Sequence, residues 1–324
     1  MYKFTFLSHK TGFTILVIII FLVGLSFSTG CTSTNNSENS LLETKPMVSA
    51  TIFPIYDLVR QIAGEKLEVN LIVQPNDSPH TYNPSVQERV RIEKSHLIFI
   101  IGHTLDSWAI KGISNKANIV VLDKGINLIA FDEEKHDEHA HDEEKHDEHA
   151  HGEVNPHYWL DPENASLMAQ VIADNLSILD PLNEDFYQEN ARELRKDLRN
   201  LANEMLKLVK PIQSTPFITL HDAWPYFGKA FGLQIKGSFE PTAANQPTPR
   251  YLHELQEIID TFDIKAIFSE PQLSTSSLDS FVKDNNLSIG TLDPIGGSGG
   301  INNYQELIRF NCRELLQTLK NDIK

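Results

Sequence analysis

Residues 48–73 read VSATIFPIYDLVRQIAGEKLEVNLIV, which is the pattern of a strand, a helix and a second strand. The apolar run Val48–Phe53 predicts the first strand, and Leu67–Val73 predicts the second. Between them, Pro54 is typical of the first turn of a helix and Gly64 of its end. A strand, a helix and another strand in this order indicate a parallel sheet.

The same alternation continues along the chain. Further strands are predicted at His96–Ile101, Ile119–Leu122, Phe217–Leu220, Gln234–Lys236, Ile264–Phe268 and Ser288–Thr291. A helix is predicted near Pro162–Leu179, and the charged, amphipathic stretch Asn183–Lys210, without Gly or Pro, predicts a longer one. We therefore expect an α/β protein of two lobes, each a mainly parallel sheet flanked by helices, joined by one long rigid helix.

The length of 324 residues is typical of two domains rather than one. Apolar residues make up 40% of the chain and charged residues 22%, which are the proportions of a globular protein with its own core. We expect five segments: a signal peptide (1–30), a lipidated tether (31–46), a first lobe (47–180), a connecting helix (181–211) and a second lobe (212–324).

The chain is acidic, with a formal net charge of −16. A nucleic-acid-binding protein needs a basic surface, so we expect no nucleic-acid partner. Half of the charge, −8, lies in a tandem repeat of DEEKHDEHAH over Asp132–His151. With so few apolar residues this repeat predicts a disordered loop over residues 131–153, either a functionless solvated insertion or a set of weak zinc-gathering sites. Its six histidines are His136, His139, His141, His146, His149 and His151.

The N-terminus has the pattern of a secretory signal. Two lysines precede the uncharged run Phe13–Phe27, which is shorter than the roughly 20 residues of a membrane-spanning helix. The residues that follow, ending at Cys31, resemble the lipobox of prokaryotic lipoproteins, although Ser28 replaces the usual apolar residue. We expect lipidation of Cys31 and an extracytoplasmic protein anchored to the cell membrane. The alternatives are a plain signal peptide or an uncleaved anchor.

Polar side chains follow several of the predicted strands. His80 lies in the loop after the second strand, while His221, Glu270 and Asp293 each come just after a strand of the second lobe. His157 lies in a proline-containing loop before a helix. Because ligands bind beyond the carboxyl ends of parallel strands, three histidines and one or two carboxylates can converge on the cleft between the lobes. Three imidazole nitrogens and a carboxylate oxygen suit a tetrahedral Zn²⁺ site.

A single histidine after a strand is more often a hydrogen-bonded structural residue, and these spacings match no zinc-finger pattern. Six short motifs nevertheless resemble, in order, those of the metal-specific substrate-binding lipoproteins of bacterial and archaeal ABC importers, which bind zinc or manganese. The resemblance covers the chain from about Val48 to Leu319. The motifs are TIFPIYD (51–57), PHTY (79–82), NPHYWLDP (155–162), HDAWPYF (221–227), IFSEPQ (267–272) and LDP (292–294).

This resemblance implies a ligand set and a function. It implies that His80, His157, His221 and Asp293 bind the metal, and that Glu270 orients a ligand histidine or serves as an alternative ligand. Family members with a carboxylate at the position of His221 resemble manganese binders, so histidine there favours Zn²⁺, with Mn²⁺ as the alternative ion. The implied partners are the membrane permease of an ABC transporter and its ATPase. We expect a monomer that is not an enzyme.

Two other functions share part of this pattern. A metal-binding adhesin would have the same fold and site and would differ in its partner. A secreted zinc hydrolase would also use three protein ligands and a water, with Glu270 as general base, but no His-Glu-x-x-His helix or nucleophile motif is present. The remaining histidines of the predicted lobes, His96, His103 and His253, are interpreted as structural or surface residues. Trp108, Trp159 and Trp224 are interpreted as packing residues around the cleft.

Overall fold

The computed structural model describes residues 45–111, 118–131, 154–238, 249–273 and 278–320. The predicted signal peptide, Cys31 and the histidine-rich repeat lie outside these residues. The described residues all belong to one compact unit. Within the described ranges, no helix combines the length and the apolar character that crossing a bilayer requires.

The first lobe contains a four-stranded sheet in which every neighbouring pair is parallel. Its strands are β1 (Met47–Ala50), β2 (Glu68–Leu71), β3 (Leu97–Ile100) and β4 (Ile119–Val121). Their order across the sheet is β2-β1-β3-β4. The helices between these strands are α1 (Phe53–Ala63), α2 (Val86–Lys94) and α3 (Ser107–Ile110).

Two long helices follow, α4 (Pro162–Leu179) and α5 (Glu184–Val209). Helix α4 begins at a proline, and the side chain of Asp161 caps it by accepting a hydrogen bond from the backbone N–H of Glu163. Helix α5 buries one stripe of side chains that recur every three or four residues, as in an amphipathic helix. They are Tyr187, Ala191, Leu194, Leu198, Leu201, Met205 and Val209.

The second lobe repeats the topology of the first. Its strands are β5 (Pro216–Thr219), β6 (Gln234–Ser238), β7 (Ala266–Ser269) and β8 (Ser288–Thr291), all paired in parallel in the order β6-β5-β7-β8. Its helices are α6 (Pro225–Phe231), α7 (Pro249–Phe262), α8 (Asp279–Asp284) and α9 (Tyr304–Lys320). The expected α/β architecture of two parallel sheets joined by a long helix is confirmed.

The four strands of the first lobe are each shorter than predicted. Strand β1 ends at Ala50 rather than Phe53, because Ile52 already occupies the cap position of α1 and Phe53 is the first helical residue. Gly64 ends α1 as predicted, with a φ of 53° that favours glycine. The apolar residues beyond the strand ends are still buried. The hydrophobic pattern therefore predicts which residues lie in the core better than it predicts which residues pair between strands.

One hydrophobic core extends through both lobes. Helix α5 packs against α1 of the first lobe and against α6 and α9 of the second. A single buried cluster includes Val48 in the first sheet, Leu198 in α5 and Phe217 in the second sheet. Because packed interiors resist shear, this shared core limits rotation of one lobe against the other.

Buried hydrogen bonds also join the lobes. The backbone N–H of Tyr304, at the start of α9, donates to the Asp57 carboxylate of α1 over 2.8 Å. The Tyr304 hydroxyl donates to the carbonyl of Trp159 over 2.6 Å, and the Trp159 indole donates to the carbonyl of Pro294 over 2.8 Å. Breaking these bonds would leave buried polar groups unpaired, which adds to the cost of opening the lobes.

Candidate metal centre

The structure brings together His80, His157 and His221. Each offers one ring nitrogen to a group in which these atoms all lie within 4.8 Å of one another. The ring centroids are 5.3 Å apart for His80 and His157, 5.0 Å for His80 and His221, and 4.8 Å for His157 and His221. Among the histidine, cysteine, aspartate and glutamate side chains of the described residues, these three histidines form the group that could hold a metal ion.

The position of His221 follows from the topology of the second sheet. The strand order reverses between β5 and β7, and ligands of open α/β sheets bind at such a switch point. Thr219 pairs with Phe268 across these two strands, so the residues two positions later, His221 and Glu270, leave the sheet side by side. The Nδ1 atom of His221 lies 3.1 Å and 3.2 Å from the two oxygens of Glu270.

Glu270 fixes the orientation of the His221 ring. The Glu270 side chain is buried and also accepts a hydrogen bond of 3.0 Å from the Trp224 indole. A carboxylate accepts, so the His221 Nδ1 donates its proton to it and the Nε2 lone pair remains for a metal ion. The predicted role of Glu270, orienting a ligand histidine, would use this contact and stays a prediction, and Trp224 makes a hydrogen bond in addition to packing.

His157 is the most deeply buried of the three histidines, with 3% of its surface exposed. It lies immediately before the 3₁₀ turn Tyr158–Leu160, and its Nδ1 is 3.0 Å from the side-chain oxygen of Asn155. Burial lowers the pKa of His157 well below its ordinary value, and the proximity of His221 and His80 lowers it further. The ring is therefore neutral near pH 7, which is the form that binds a metal.

His80 is exposed to solvent, and residues on either side of it make specific contacts. The Trp108 indole donates a 2.7 Å hydrogen bond to the carbonyl of Pro79. The ring of Tyr82 packs on Trp108 with centroids 4.8 Å apart, and its hydroxyl donates to Glu88 over 2.7 Å. These contacts fix both sides of the loop that carries His80.

The spacing of two nitrogen atoms fits a zinc ion. The Nε2 atoms of His80 and His157 are 3.2 Å apart. Two imidazole nitrogens bound at about 2.05 Å to one tetrahedral zinc would lie about 3.3 Å apart. The pair is therefore already close to the separation that shared coordination requires.

The two candidate carboxylates, Asp293 and Glu270, lie outside the group formed by the three histidines. Asp293 is buried, and its Oδ1 accepts two 2.9 Å hydrogen bonds from the backbone N–H groups of Ile295 and Gly296. The assignment of Asp293 as a fourth ligand stays a prediction.

The other singled-out residues have separate contacts. The His96 ring lies 3.2 Å from backbone atoms of Met47, and His103 pairs with Asp123 over 3.0 Å. His253 lies on the exposed face of α7, next to Glu257. Trp159, predicted to pack around the cleft, lies with its ring centroid 5.1 Å from that of His157. Cys31 and the six histidines of the repeat lie outside the described residues.

Apart from Glu270, the sequence does not identify the residues that hold the three candidate ligand histidines. Asn155 contacts the His157 ring directly. Trp108 donates to the carbonyl of Pro79, next to His80, and Trp224 donates to Glu270, which contacts His221. The only available signal was their position, since Asn155 and Trp224 lie two and three residues from a ligand histidine. Which atom they contact depends on three-dimensional packing that the sequence pattern does not contain.

Comparison with known proteins gives a match over most of the chain. A family model described as the periplasmic component A of a zinc-uptake complex, ZnuA, matches residues 48–318. The high-affinity zinc uptake system protein ZnuA of Brucella abortus (strain 2308) is 30% identical over 313 residues, which cover 87% of this chain and 94% of that protein.

Two further comparisons bear on the metal and on the fold. The manganese-binding lipoprotein MntA of Halalkalibacterium halodurans is 24% identical over 308 residues, covering 93% of this chain and 96% of that protein. A crystal structure of ZnuA matches with a TM-score of 0.70 and 24% identity, over 84% of this chain and 98% of that chain. At this identity the structural match concerns the fold alone.

Proposed function

The chain belongs to the family of periplasmic zinc-uptake components, and from this premise we propose that it captures Zn²⁺ outside the cytoplasm and delivers it to an ABC importer. Its partners in this role are the membrane permease of that importer and the ATPase that drives it. The metal is cargo, so the protein binds and releases it without chemical change.

The observation that carries this proposal is that one ring nitrogen from each of His80, His157 and His221 lies within 4.8 Å of the other two. His157 and His221 each have Nδ1 directed at an acceptor, which leaves Nε2 for the ion. Three neutral imidazoles with a fourth position for a carboxylate or water form a tetrahedral site. We propose Asp293 as the carboxylate that completes it.

Zinc is the proposed cargo because of the donor atoms. Imidazole nitrogen suits Zn²⁺, whereas Mn²⁺ favours oxygen ligands in octahedral geometry. A manganese-binding relative exists at 24% identity, so Mn²⁺ is the ion against which selectivity has to be measured.

Catalysis is not part of the proposal. The family consists of transporter components rather than enzymes. A zinc hydrolase would need a general base that is free to take a proton from a metal-bound water. Glu270, the candidate base, is buried and accepts hydrogen bonds from both His221 and Trp224, which suits an orienting role better.

We propose that Cys31 is lipidated and anchors the protein to the outer face of the cell membrane as a monomer. The sequence around Cys31 supports this, and the name of the manganese-binding relative includes the word lipoprotein. The histidine-rich repeat Asp132–His151 is proposed to gather zinc weakly near the tight site. Deleting the repeat should remove weak binding and leave one tight site.

A chelator-competition titration tests the proposed function. The chain from residue 32 onward, with Asp132–His151 deleted, is titrated with Zn²⁺ and with Mn²⁺, beside the same protein carrying His157→Ala. We expect one tight zinc site per chain and much weaker manganese binding. Removing a ligand nitrogen should cost more than the roughly 10–100-fold that losing a ligand's hydrogen-bond partner costs.

A matched control is His253→Ala, which removes an exposed histidine from α7 and should leave zinc affinity unchanged. Tighter binding of Mn²⁺ than of Zn²⁺ would make the protein a manganese carrier. The absence of any tight site would refute the proposal.

A further inference from the structure

Asn155 is a buried polar residue with only 1% of its surface exposed, two positions before His157. Buried amides are retained where each of their polar atoms has a partner. All the polar groups of this side chain contact a loop that carries a ligand histidine.

Two backbone contacts fix which way the Asn155 amide faces. Its Oδ1 accepts a 3.0 Å hydrogen bond from the backbone N–H of His157, and its Nδ2 donates over 2.6 Å to the carbonyl of Asp222. A backbone N–H can only donate and a carbonyl can only accept. The reversed amide would break both bonds, so the oxygen of Asn155 faces His157.

This orientation determines the tautomer of His157. The same Oδ1 lies 3.0 Å from the His157 Nδ1. Because an amide oxygen cannot donate, the hydrogen in this contact belongs to Nδ1. Neutral imidazole carries one N–H, so Nε2 keeps its lone pair, and that is the atom that lies 3.2 Å from the Nε2 of His80.

The other end of the amide reaches the second lobe. Asp222 directly follows His221, so the 2.6 Å hydrogen bond from Asn155 ties the loop of one ligand histidine to the loop of another. The rings of His157 and His221 are the closest pair of the three, with centroids 4.8 Å apart.

We propose that Asn155 is a positioning residue for the metal site, which selects the Nδ1–H tautomer of His157 and sets the spacing between the His157 and His221 loops. This inference rests on the proposed function, because it concerns the same three histidines. Glu270 orients one ligand histidine within its own lobe, whereas Asn155 acts on the ligands of both lobes at once.

The first test measures the tautomer without any metal. The whole chain, metal-free and labelled with ¹⁵N-histidine, is examined by long-range ¹H–¹⁵N correlation, with His157 assigned by the loss of its signals in His157→Ala. We expect the Nδ1–H tautomer in the unsubstituted chain and a growing Nε2–H population in Asn155→Ala. Asn155→Asp, which keeps an oxygen acceptor at this place, should restore the Nδ1–H tautomer.

The second test measures zinc affinity by chelator competition in the same proteins. Asn155→Ala should lower the affinity about 10–100-fold. The matched control is Tyr226→Phe, which removes a hydroxyl that donates to the backbone carbonyl of Asn155 over 3.0 Å and loosens the same loop without touching the amide. It should change the affinity less than threefold and leave the tautomer as it is.

Two results would overturn the proposal. One is a tautomer of His157 that is the same in Asn155→Ala as in the unsubstituted chain. The other is a loss of affinity in Tyr226→Phe as large as in Asn155→Ala, because the effect would then come from general loosening of the loop. Failure of the proposed function is a different outcome, namely no tight zinc site in the unsubstituted chain, and the metal-free tautomer measurement does not depend on it.

Discussion

Each of the three proposed ligand histidines is held by a different kind of contact. His221 donates to a carboxylate, His157 donates to a neutral amide, and His80 is supported through the backbone of Pro79, which Trp108 fixes. A ring whose orientation is already fixed loses little rotational freedom when it binds a metal. The three contacts therefore act before the ion arrives.

The contact between His221 and Glu270 gives a direct test. Glu270→Gln removes the negative charge that makes the His221 ring a better donor to the metal, and we expect zinc affinity to fall about tenfold or more. The matched control is Glu257→Gln, the same substitution next to a histidine on the exposed surface of α7, which should have no effect on zinc binding. Equal affinities in both variants, measured by chelator competition, would show that Glu270 does not support the site.

The burial of His157 predicts how the stability of the metal-free protein depends on pH. In the unfolded chain this histidine gains a proton near pH 6.5, whereas in the folded chain its lowered pKa keeps it neutral in more acidic solution. Its contribution to stability is therefore complete above pH 6.5 and is lost as the pH falls, by up to about 1.4 kcal/mol per pH unit.

Urea denaturation of the metal-free chain at several pH values between 7.5 and 5 measures this effect. The variant His157→Ala lacks the group, so its free energy of unfolding should decrease less over this range than that of the unsubstituted chain. Parallel pH dependences in the two proteins would mean that His157 is not held neutral in the fold.

Among single residues, the sequence nominates the three proposed ligand histidines and one supporting residue, Glu270, but not Asn155 or Trp108. His221 directly follows the predicted strand Phe217–Leu220, so its place at a strand end can be read from the pattern. Asn155 carries no such signal, because its role depends on a carbonyl 67 positions away in the other lobe. Contacts between distant segments are set by packing, which a local pattern does not encode.

Helix α5 connects the lobes through its buried stripe. Leu198 lies near the middle of this stripe and is fully buried in the shared core. Leu198→Ala should lower the free energy of unfolding by about 2–5 kcal/mol, through lost burial and the cavity that remains. Leu206→Ala, on an exposed part of the same helix, should change it by less than about 0.5 kcal/mol. Similar losses in both variants, measured by urea denaturation, would contradict the role of the stripe.

The helices were easier to predict than the strands. The 3.6-residue periodicity of α4 and α5 extends over many residues, and their observed limits differ from the predicted ones by at most one residue. The strands have only three to five residues, and their ends depend on where a neighbouring strand stops pairing. The alternation of elements was still enough to predict two parallel sheets, because strands separated by helices cannot pair as hairpins.

The shared core makes a prediction for the whole molecule. Because α5 packs on both lobes and buried hydrogen bonds join Tyr304 to Asp57 and Trp159, zinc binding should cause small movements rather than a large closure. Amide hydrogen exchange should be comparable in the metal-free and zinc-loaded protein throughout α5 and the two sheets. Slower exchange on loading should be confined to the loops that carry His80, His157 and His221.

Small-angle scattering of the two states provides an independent check, and the curves should superimpose. A clear decrease in the radius of gyration on zinc binding, or slower exchange along the whole of α5, would contradict this rigid arrangement and show that the lobes hinge.

His80 and His157 belong to the first lobe and His221 to the second, while the two lobes share one core. This arrangement has a consequence for the release of the metal ion. A zinc–nitrogen bond keeps its length within about 0.2 Å, so shifting the His221 loop by about 1 Å would break the coordination while the interior stayed packed. The work of releasing the ion would then go into breaking its bonds at this one loop, and the shared core would not have to be repacked. A docking partner that displaced the His221 loop alone would therefore be sufficient to release the ion.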